Sequence, residues 1–276
     1  MGIDGGQGIL ARSMSEPPHL PMTEPQQREI TRLCVESGLR LMQHGAESAL
    51  IESLSCRLGL ALGVRSVEVA VMANALILTT LGADHCITTV RRSADRGINM
   101  HVITEVQRAI LEVEEGRLDP ASYRAALEAV QPLRYPRWLL SLVIGLSCAC
   151  FARLAEADVE ACGLVFLASG LAMYVRLRLA KLHFSPLLTF FASAFVATSL
   201  AGLGLLLKLT LTPRIALATC VLFLVPGFPL INGVSDMVKG YSNIGLARLA
   251  WATLLSAASC GGILLAMTVW KLWGWP

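Results

Sequence analysis

Residues 213–239 read PRIALATCVLFLVPGFPLINGVSDMVK, an apolar stretch with two prolines in its second half. A helix that begins at Pro213 and rises about 1.5 Å per residue reaches Pro226 about 20 Å into a hydrocarbon core that is about 30 Å thick. Proline lacks an N–H group and its ring clashes with the preceding turn, so Pro226 and Pro229 predict a break in this helix within the membrane. Such a break is tolerated only where it faces protein or a water-filled cavity. The stretch therefore predicts a membrane-spanning helix with a functional break.

The groups around this break form the predicted transport path. The two prolines should free the carbonyls of Leu222 and Val225, and a half-helix that starts near Pro229 should direct its N–H groups at the cavity, as transporters do to hold carboxylates. Asp236, the only acidic residue after Glu160, is the predicted proton or charge partner of the substrate. The predicted path consists of Pro226, Gly227, Pro229, Asn232, Asp236, Lys239 and Arg248.

Four polar residues of this region have the spacing of one helical face. Asn232, Asp236, Lys239 and Asn243 follow one another by four, three and four residues, which places them on one side of a continuous helix. The alternative is a harmless proline kink followed by a solvated pair of Asp236 and Lys239 at the membrane edge. A broken span together with a single acid favours the functional interpretation.

Five apolar segments make up the second half of the chain, each close to the roughly 20 residues that cross a bilayer. They lie near 138–155, 161–180, 186–207, 213–235 and 249–271. Ser185-Pro186 and Thr212-Pro213 each place a capping hydroxyl before a first-turn proline, which predicts two helix starts. Small residues at four-residue spacing predict close helix approach, within the chain or with a partner. They are Ser141, Gly145, Ala149, Ala194, Thr198 and Gly202.

Composition separates a polar half from an apolar half. The first 137 residues of the 276 contain 14 Arg and 16 Asp or Glu, and the remaining 139 contain 9 Lys or Arg and 4 Asp or Glu. With 54% apolar and 16% charged residues, against about 25% charged in soluble domains, the chain is neither disordered nor a conventional soluble enzyme. The polar half has no net positive charge to attract nucleic acid.

The distribution of Lys and Arg predicts an orientation in the lipid bilayer. If the polar half lies inside the cell, seven of these residues flank the inner ends of the five segments and four flank the outer ends. Positive residues favour the cytoplasmic side, so the polar half is predicted to be cytoplasmic and the C-terminus to lie on the opposite side.

The polar half itself predicts an α+β domain. Helical periodicity on both sides of His44-Gly45 indicates two amphipathic helices. Residues typical of strands from Ser66 to Arg92, with two interruptions, predict a three-stranded sheet. Two helices should follow, the second of them beginning at Asp119-Pro120 with an N-cap and a first-turn proline.

The predicted fold is therefore a membrane protein in which a cytoplasmic α+β domain is followed by a transmembrane bundle of five α-helices. Residues 1–22 are predicted to be a flexible leader, residues 23–137 the cytoplasmic domain, and residues 138–276 the transmembrane domain.

Outside the transport path, one arginine cluster could contact anions. Arg91, Arg92 and Arg96 follow the third predicted strand, and guanidinium groups pair well with carboxylates, although a solvated turn explains them as well. His101 and Glu105 could form an acid–base pair or an ordinary surface pair.

No catalytic residue, metal site or cofactor is predicted. The eight cysteines include no C-x-x-C pair and are interpreted as reduced, and the candidate ligands of a metal lack the necessary spacing. Those candidates are Cys34, His44, Cys56, His85 and Cys86.

Several long motifs resemble the threonine/serine exporter family. They are HGAES at 44–48, RRSADRGINMH at 91–101, LRYPRW at 133–138, VPGFPLIN at 225–232 with Asp236 and Lys239-Gly240, and GLAR at 245–248. The resemblance runs from about Met22 to Pro276. It implies one subunit of a two-component succinate exporter in the bacterial inner membrane, with a smaller YjjB-type membrane subunit as partner. In that membrane, the orientation predicted from Lys and Arg places the C-terminus in the periplasm.

The resemblance supplies the succinate substrate, and the residues are compatible with it. A dicarboxylate favours cations and N–H dipoles on its path, whereas an amino acid of the threonine or serine type needs both signs of charge, and Asp236 could supply the negative one. The chain could instead be a membrane-anchored enzyme that acts through residues 91–101, or a non-conducting scaffold. It has no G-x-x-x-x-G-K-[ST] motif for ATP.

Overall fold

The computed structural model describes residues 22–82 and 85–273, and almost all of the predicted leader, residues 1–21, lies outside them. The chain forms two compact units. Of the described residues, the first unit contains 22–46 and those of 50–131, and the second contains Glu47–Ala49 and 132–273. The three residues of Glu47–Ala49 therefore pack with the apolar half of the sequence.

The first unit has helices on one antiparallel sheet. Its elements are α1 (Glu24–Gln43), α2 (Ser48–Ala61), β1 (Ser66–Val71), β2 (Ala75–Leu81), β3 (Cys86–Arg92), α3 (Met100–Glu114) and α4 (Pro120–Ala129). The strands pair in the order β1-β2-β3, which confirms the predicted three-stranded sheet. Asp119 caps α4 by accepting a hydrogen bond from the Ser122 N–H at 3.1 Å, also as predicted.

Alternation along β2 fixes which face of the sheet is buried. Leu76, Leu78 and Thr80 are buried on one face, and the Thr80 hydroxyl lies 2.7 Å from that of Thr31 in α1. The Gln27 side chain also donates to the Thr80 carbonyl at 3.0 Å. Successive strand residues point to opposite faces, so this pattern places α1 on the inner face of the sheet.

The second unit is a helical bundle. Its elements are α5 (Arg137–Leu154), α6 (Val159–Lys181), α7 (Pro186–Leu206), α8 (Pro213–Thr219), a short 3₁₀ turn (Leu222–Leu224), α9 (Gly227–Val238) and α10 (Ser242–Val269). Within the described ranges, four helices are long and apolar enough to cross a membrane, and the segment from α8 to α9 is a bent pair that would make a fifth span. The structure is that of a multi-pass membrane protein.

Small residues bring the helices of this unit close together. A Cβ atom at Gly145 of α5 would lie 2.7 Å from the Phe166 carbonyl of α6, and one at Gly262 of α10 would lie 3.0 Å from Ala194 of α7. Two of the predicted small-residue positions are thus used for contacts inside the chain.

The two predicted helix starts differ in their capping. The Ser185 hydroxyl accepts from the Leu188 N–H at 3.4 Å, as expected for an N-cap. Thr212 precedes Pro213 but makes no side-chain cap, so its predicted capping role is wrong. Its hydroxyl instead donates to the carboxylate of Asp158 at the start of α6. The same hydroxyl oxygen accepts from the Asp158 N–H at 3.1 Å, so it is used there and not on the first turn of α8.

Candidate functional site

The predicted break is present at Pro226, where the two parts of the span meet at an angle of 62°. The carbonyls of Leu222 and Val225 are not free, so that prediction is wrong. The Val225 N–H donates to Leu222 at 3.1 Å, and the Gly227 N–H donates to Val225 at 2.8 Å. A local turn thus satisfies both carbonyls that the prolines had left without a helical donor.

Helix α9 begins at Gly227, and Pro229 lies in its first turn. Proline is tolerated there because the first N–H groups of a helix have no partner inside the helix. The helix continues only to Val238, and Gly240 turns the chain with a φ of 91°. Asn243 therefore belongs to α10, so the prediction that it shares one helical face with Asp236 is wrong.

Asp236 is fully buried and has partners on two sides. Its Oδ2 atom lies 2.5 Å from Nη1 of Arg248 in α10, and its Oδ1 atom accepts from the backbone N–H of Ser48 at 3.0 Å. Arg248 is also largely buried, with 16% of its side chain exposed. The alternative of a solvated Asp236–Lys239 pair is thus not found.

Lys239 has a different carboxylate as its partner. Its Nζ atom lies 2.5 Å from Oε1 of Glu47, and the Ser235 hydroxyl donates to the same oxygen at 2.5 Å. The hydrogen bond from Lys239, followed by that from Ser235, holds the pKa of Glu47 below its ordinary value. We call Glu47, Ser48, Ser235, Asp236, Lys239 and Arg248 the charged cluster.

Two glycines allow α9 and α10 to approach closely enough for this cluster. A Cβ atom at Gly233 would lie 2.9 Å from the Leu249 side chain, and one at Gly245 would lie 2.9 Å from the Gly233 carbonyl. Gly245 is one helical turn from Arg248, so the close approach sets the distance that this arginine must span to reach Asp236.

Three members of the cluster, Glu47, Ser48 and Ser235, are not predicted from the sequence. Glu47 and Ser48 are 188 residues from their partners in α9, and no periodicity relates such distant positions. The available signal is the HGAES motif at 44–48, which places an acid directly before a helix that starts at Ser48.

The three arginines predicted to follow the third strand are not brought together, and two of them are the last residues of β3. Arg91 is paired with Leu76 in the sheet and Arg92 with Ala75, so alternation places the two arginines on opposite faces. Arg96 follows in the loop, where its N–H donates to the Gln43 carbonyl at 3.1 Å. Glu105, which could have paired with His101, forms its ion pair with Arg108 at 2.9 Å.

Within residues 22–82 and 85–273, no group of three or more His, Cys, Asp or Glu residues could hold a metal ion. Burial raises the pKa of the Cys34 thiol to about 12. This thiol is therefore protonated at neutral pH, and Cys34 packs as a small apolar residue.

Apolar spans, one of them broken, and a buried ion pair between α9 and α10 are typical of a multi-pass membrane transporter. The family profile described as "Putative threonine/serine exporter" matches residues 32–270. The chain belongs to the threonine/serine exporter (ThrE) family.

Three relatives extend this comparison. The chain is 51% identical over 255 residues, 92% of its length and all of the relative, to the "Probable succinate transporter subunit YjjP" of Escherichia coli (strain K12). It is 51% identical over 251 residues to the protein of the same description in Klebsiella aerogenes, covering 91% and 97% of the two chains. An "Uncharacterized protein" of Haemophilus influenzae is 48% identical over 143 residues, 52% of this chain and 48% of that one. No solved structure matches the chain.

Proposed function

We propose that this chain is one subunit of an inner-membrane exporter of succinate or a closely related dicarboxylate, and that it works with a smaller YjjB-type membrane subunit. Two relatives that align over nearly their whole length are described as succinate transporter subunits. The word subunit in their descriptions supports a partner, and family membership points to a transporter rather than to a membrane-anchored enzyme.

The observation that carries the proposal is the buried pair of Asp236, near the end of the helix that follows the break, and Arg248 of α10. Burial of a charge pair within the apolar half costs free energy, so its presence there points to a functional role. Arg248 presents a planar guanidinium that can hold a carboxylate through two parallel hydrogen bonds. We infer that a carboxylate of the substrate replaces Asp236 as its partner.

The second pair completes a site for a dicarboxylate. Lys239 is three residues from Asp236, and it is held by Glu47 in the same way that Arg248 is held by Asp236. Two cations, each neutralised by a protein carboxylate, match a substrate that carries two carboxylates of its own. The proposed path also includes the backbone at Pro226, Gly227 and Pro229, and Asn232 one turn before Asp236.

Asp236 is the proposed coupling residue. When a substrate carboxylate takes Arg248, the buried Asp236 keeps the hydrogen bond from the Ser48 N–H but loses its counter-ion. A buried charge without its counter-ion takes up a proton if it can. Proton uptake at Asp236 would then accompany substrate binding, and its release would accompany the return to the empty state.

The proposed orientation follows from the Lys and Arg counts. The first half of the chain lies in the cytoplasm and the C-terminus in the periplasm, because seven positive residues flank the inner ends of five spans and four flank the outer ends. This orientation requires α8 and α9 to form one bent span.

A second candidate substrate is an amino acid of the threonine or serine type. The charged cluster contains both signs of charge, so Asp236 or Glu47 could hold an ammonium group while Arg248 or Lys239 holds the carboxylate. The description of the family profile favours this candidate.

Flux measurements in reconstituted vesicles test the proposal. Vesicles would contain this chain, the YjjB-type subunit of the same bacterium, or both, and would be loaded with labelled succinate or labelled threonine. We expect succinate efflux only when both subunits are present. Efflux of threonine but not succinate would establish the second candidate, and efflux from vesicles with this chain alone would refute the two-subunit requirement.

A further inference from the structure

The first unit contains an open cleft of about 670 Å³ between one side of α1 and the edge strand β3. Glu24, Arg28 and Arg32 line the α1 side, at the four-residue spacing of one helical face. Arg91, Thr88 and Cys86 line the β3 side. Three guanidinium groups thus meet one carboxylate around a space of the size that small ligands occupy.

The pleat of the sheet explains why Arg91 belongs to this cleft. Arg91 is opposite Leu76 in β2, and Thr89 is opposite Leu78. Both leucines are fully buried on the face that α1 covers. Arg91 therefore projects on the same side of the sheet as α1, whereas Arg92 projects from the outer face.

Backbone donors of β3 add to the cleft. The hydrogen bonds that flank the β2–β3 ladder, from Gly82 to His85 and from Ser93 to Asn74, are both 2.8 Å long. In an antiparallel pair, only every second residue of a strand forms hydrogen bonds with the neighbouring strand. The two flanking bonds show that Thr88 is not one of these residues, so its N–H group points away from β2. Within the part of the chain that the structure describes, no strand pairs with this outer edge.

The arginines keep donors for a ligand. Arg28 pairs with Glu24 at 2.8 Å and Arg32 with Glu36 at 3.0 Å, with 70% and 58% of the arginine side chains exposed. Exposed pairs of this kind are weak, and each uses only part of a guanidinium that has five N–H donors. Arg91 makes no ion pair among the described residues.

We propose that this cleft binds a small organic or inorganic anion with more than one negative charge, a dicarboxylate or a phosphate, at a site separate from the transport path. Arg91 is the central contact, and Arg28 and Arg32 close the other side. The open, polar lining suits a hydrated anion rather than an apolar ligand. This inference does not depend on the proposed function.

The variant Thr89→Cys provides a direct test because Thr89 lines the cleft and lies on the same face of β3 as Arg91, whereas Cys86 lies on the face of Arg92. The full chain, purified in detergent, would be treated with a neutral maleimide, and the labelling rate of each cysteine would be followed by mass spectrometry of its peptide. Cys150 and Cys260 of the second unit are exposed and act as internal references. Succinate and inorganic phosphate would be added separately at matched ionic strength.

We expect at least one of the two anions to slow the labelling at position 89 of Thr89→Cys severalfold without changing that of Cys150 or Cys260. Protection by succinate alone identifies a dicarboxylate site, and protection by phosphate alone identifies a phosphate site. Arg91→Ala should abolish protection, whereas Arg92→Ala, the same change on the other face of β3, should retain it. Absence of protection by either anion, or protection that survives in Arg91→Ala, would overturn the proposal. Protection lost in Arg248→Ala, a variant of the second unit, would also overturn it.

Discussion

The Oδ2 atom of Asp236 in α9 lies 2.5 Å from Nη1 of Arg248 in α10. The two residues are on consecutive helices that are joined by a short turn at Gly240. Both side chains are largely or fully buried in the apolar half of the chain, so a change at either one breaks a buried ion pair.

Replacement of Asp236 by Asn is expected to reduce succinate export by about tenfold or more and to flatten its dependence on pH, because the buried ion pair with Arg248 is broken and the proposed proton carrier is removed. Efflux from vesicles with both subunits, at matched protein level, measures both effects. Glu160→Gln, at the exposed start of α6, is the matched control and should export normally. An unchanged rate and pH profile in Asp236→Asn would remove this residue from the proposed path.

Glu47→Gln should lower the melting temperature of the chain at neutral pH but not in acid. The pKa of Glu47 is lowered in the folded protein from an ordinary value of 4.5. Its stabilising contact with Lys239 is therefore present above that value and is lost as the pH falls through the lowered pKa. Both side chains are partly exposed, so we expect at most about 1 kcal/mol.

Thermal unfolding of the wild-type and Glu47→Gln chains between neutral and acidic pH tests this expectation. Glu68→Gln, in the exposed pattern of β1, changes the same charge without removing an ion pair and should show little difference. A difference for Glu47→Gln that persists unchanged in acid would contradict the assigned cause.

Gly245→Ala should destabilise the packing of α9 on α10. The added methyl group would lie 2.9 Å from the Gly233 carbonyl and 3.0 Å from the Met237 backbone nitrogen, and overpacking of this kind costs about 1–3 kcal/mol. Gly163→Ala in α6, where a Cβ atom meets nothing within 4 Å, is the control and should be neutral or stabilising because alanine favours helices. Equal stability of the two variants would show that the close approach is relaxed in solution.

Asp158→Asn should loosen the loop before α8. The Asp158 carboxylate accepts from the Thr210 hydroxyl at 2.6 Å and from the Leu211 and Thr212 N–H groups at 3.2 Å. Hydrogen bonds from Thr210 and Thr212 lower the pKa of Asp158, so the contacts persist down to strongly acidic pH. Faster proteolysis within residues 207–212 of the variant at neutral pH is the expected result, and an unchanged cleavage rate would contradict it.

The elements that depend on local sequence could be predicted. The three strands, the N-cap at Asp119 and the break at Pro226 all depend on residues that are close together in the sequence. The error at Asn243 arose because the predicted spacing requires a continuous helix, whereas the positive φ of Gly240 ends α9. The error at Thr212 arose because its hydroxyl both donates to the carboxylate of Asp158 and accepts from the N–H of Asp158, which is 54 residues away.

The partners in the charged cluster could not be predicted for a similar reason. Spacing identified Asp236 and Lys239 as neighbours on one helix, but their counter-ions are decided by tertiary packing. Arg248 reaches Asp236 because two glycines let α9 and α10 approach, and Glu47 reaches Lys239 from another part of the chain. Contacts of this kind leave no periodic signal in one sequence.

The charges of the cluster have an electrical consequence. Glu47, Asp236, Lys239 and Arg248 carry two negative and two positive charges, so the proposed site is neutral when it holds no substrate. A neutral site can change its access from one side of the membrane to the other without doing work against the membrane potential. We therefore expect current to accompany only the step that carries the anion, and the voltage across the vesicle to alter outward flux while leaving the return of the empty site unaffected.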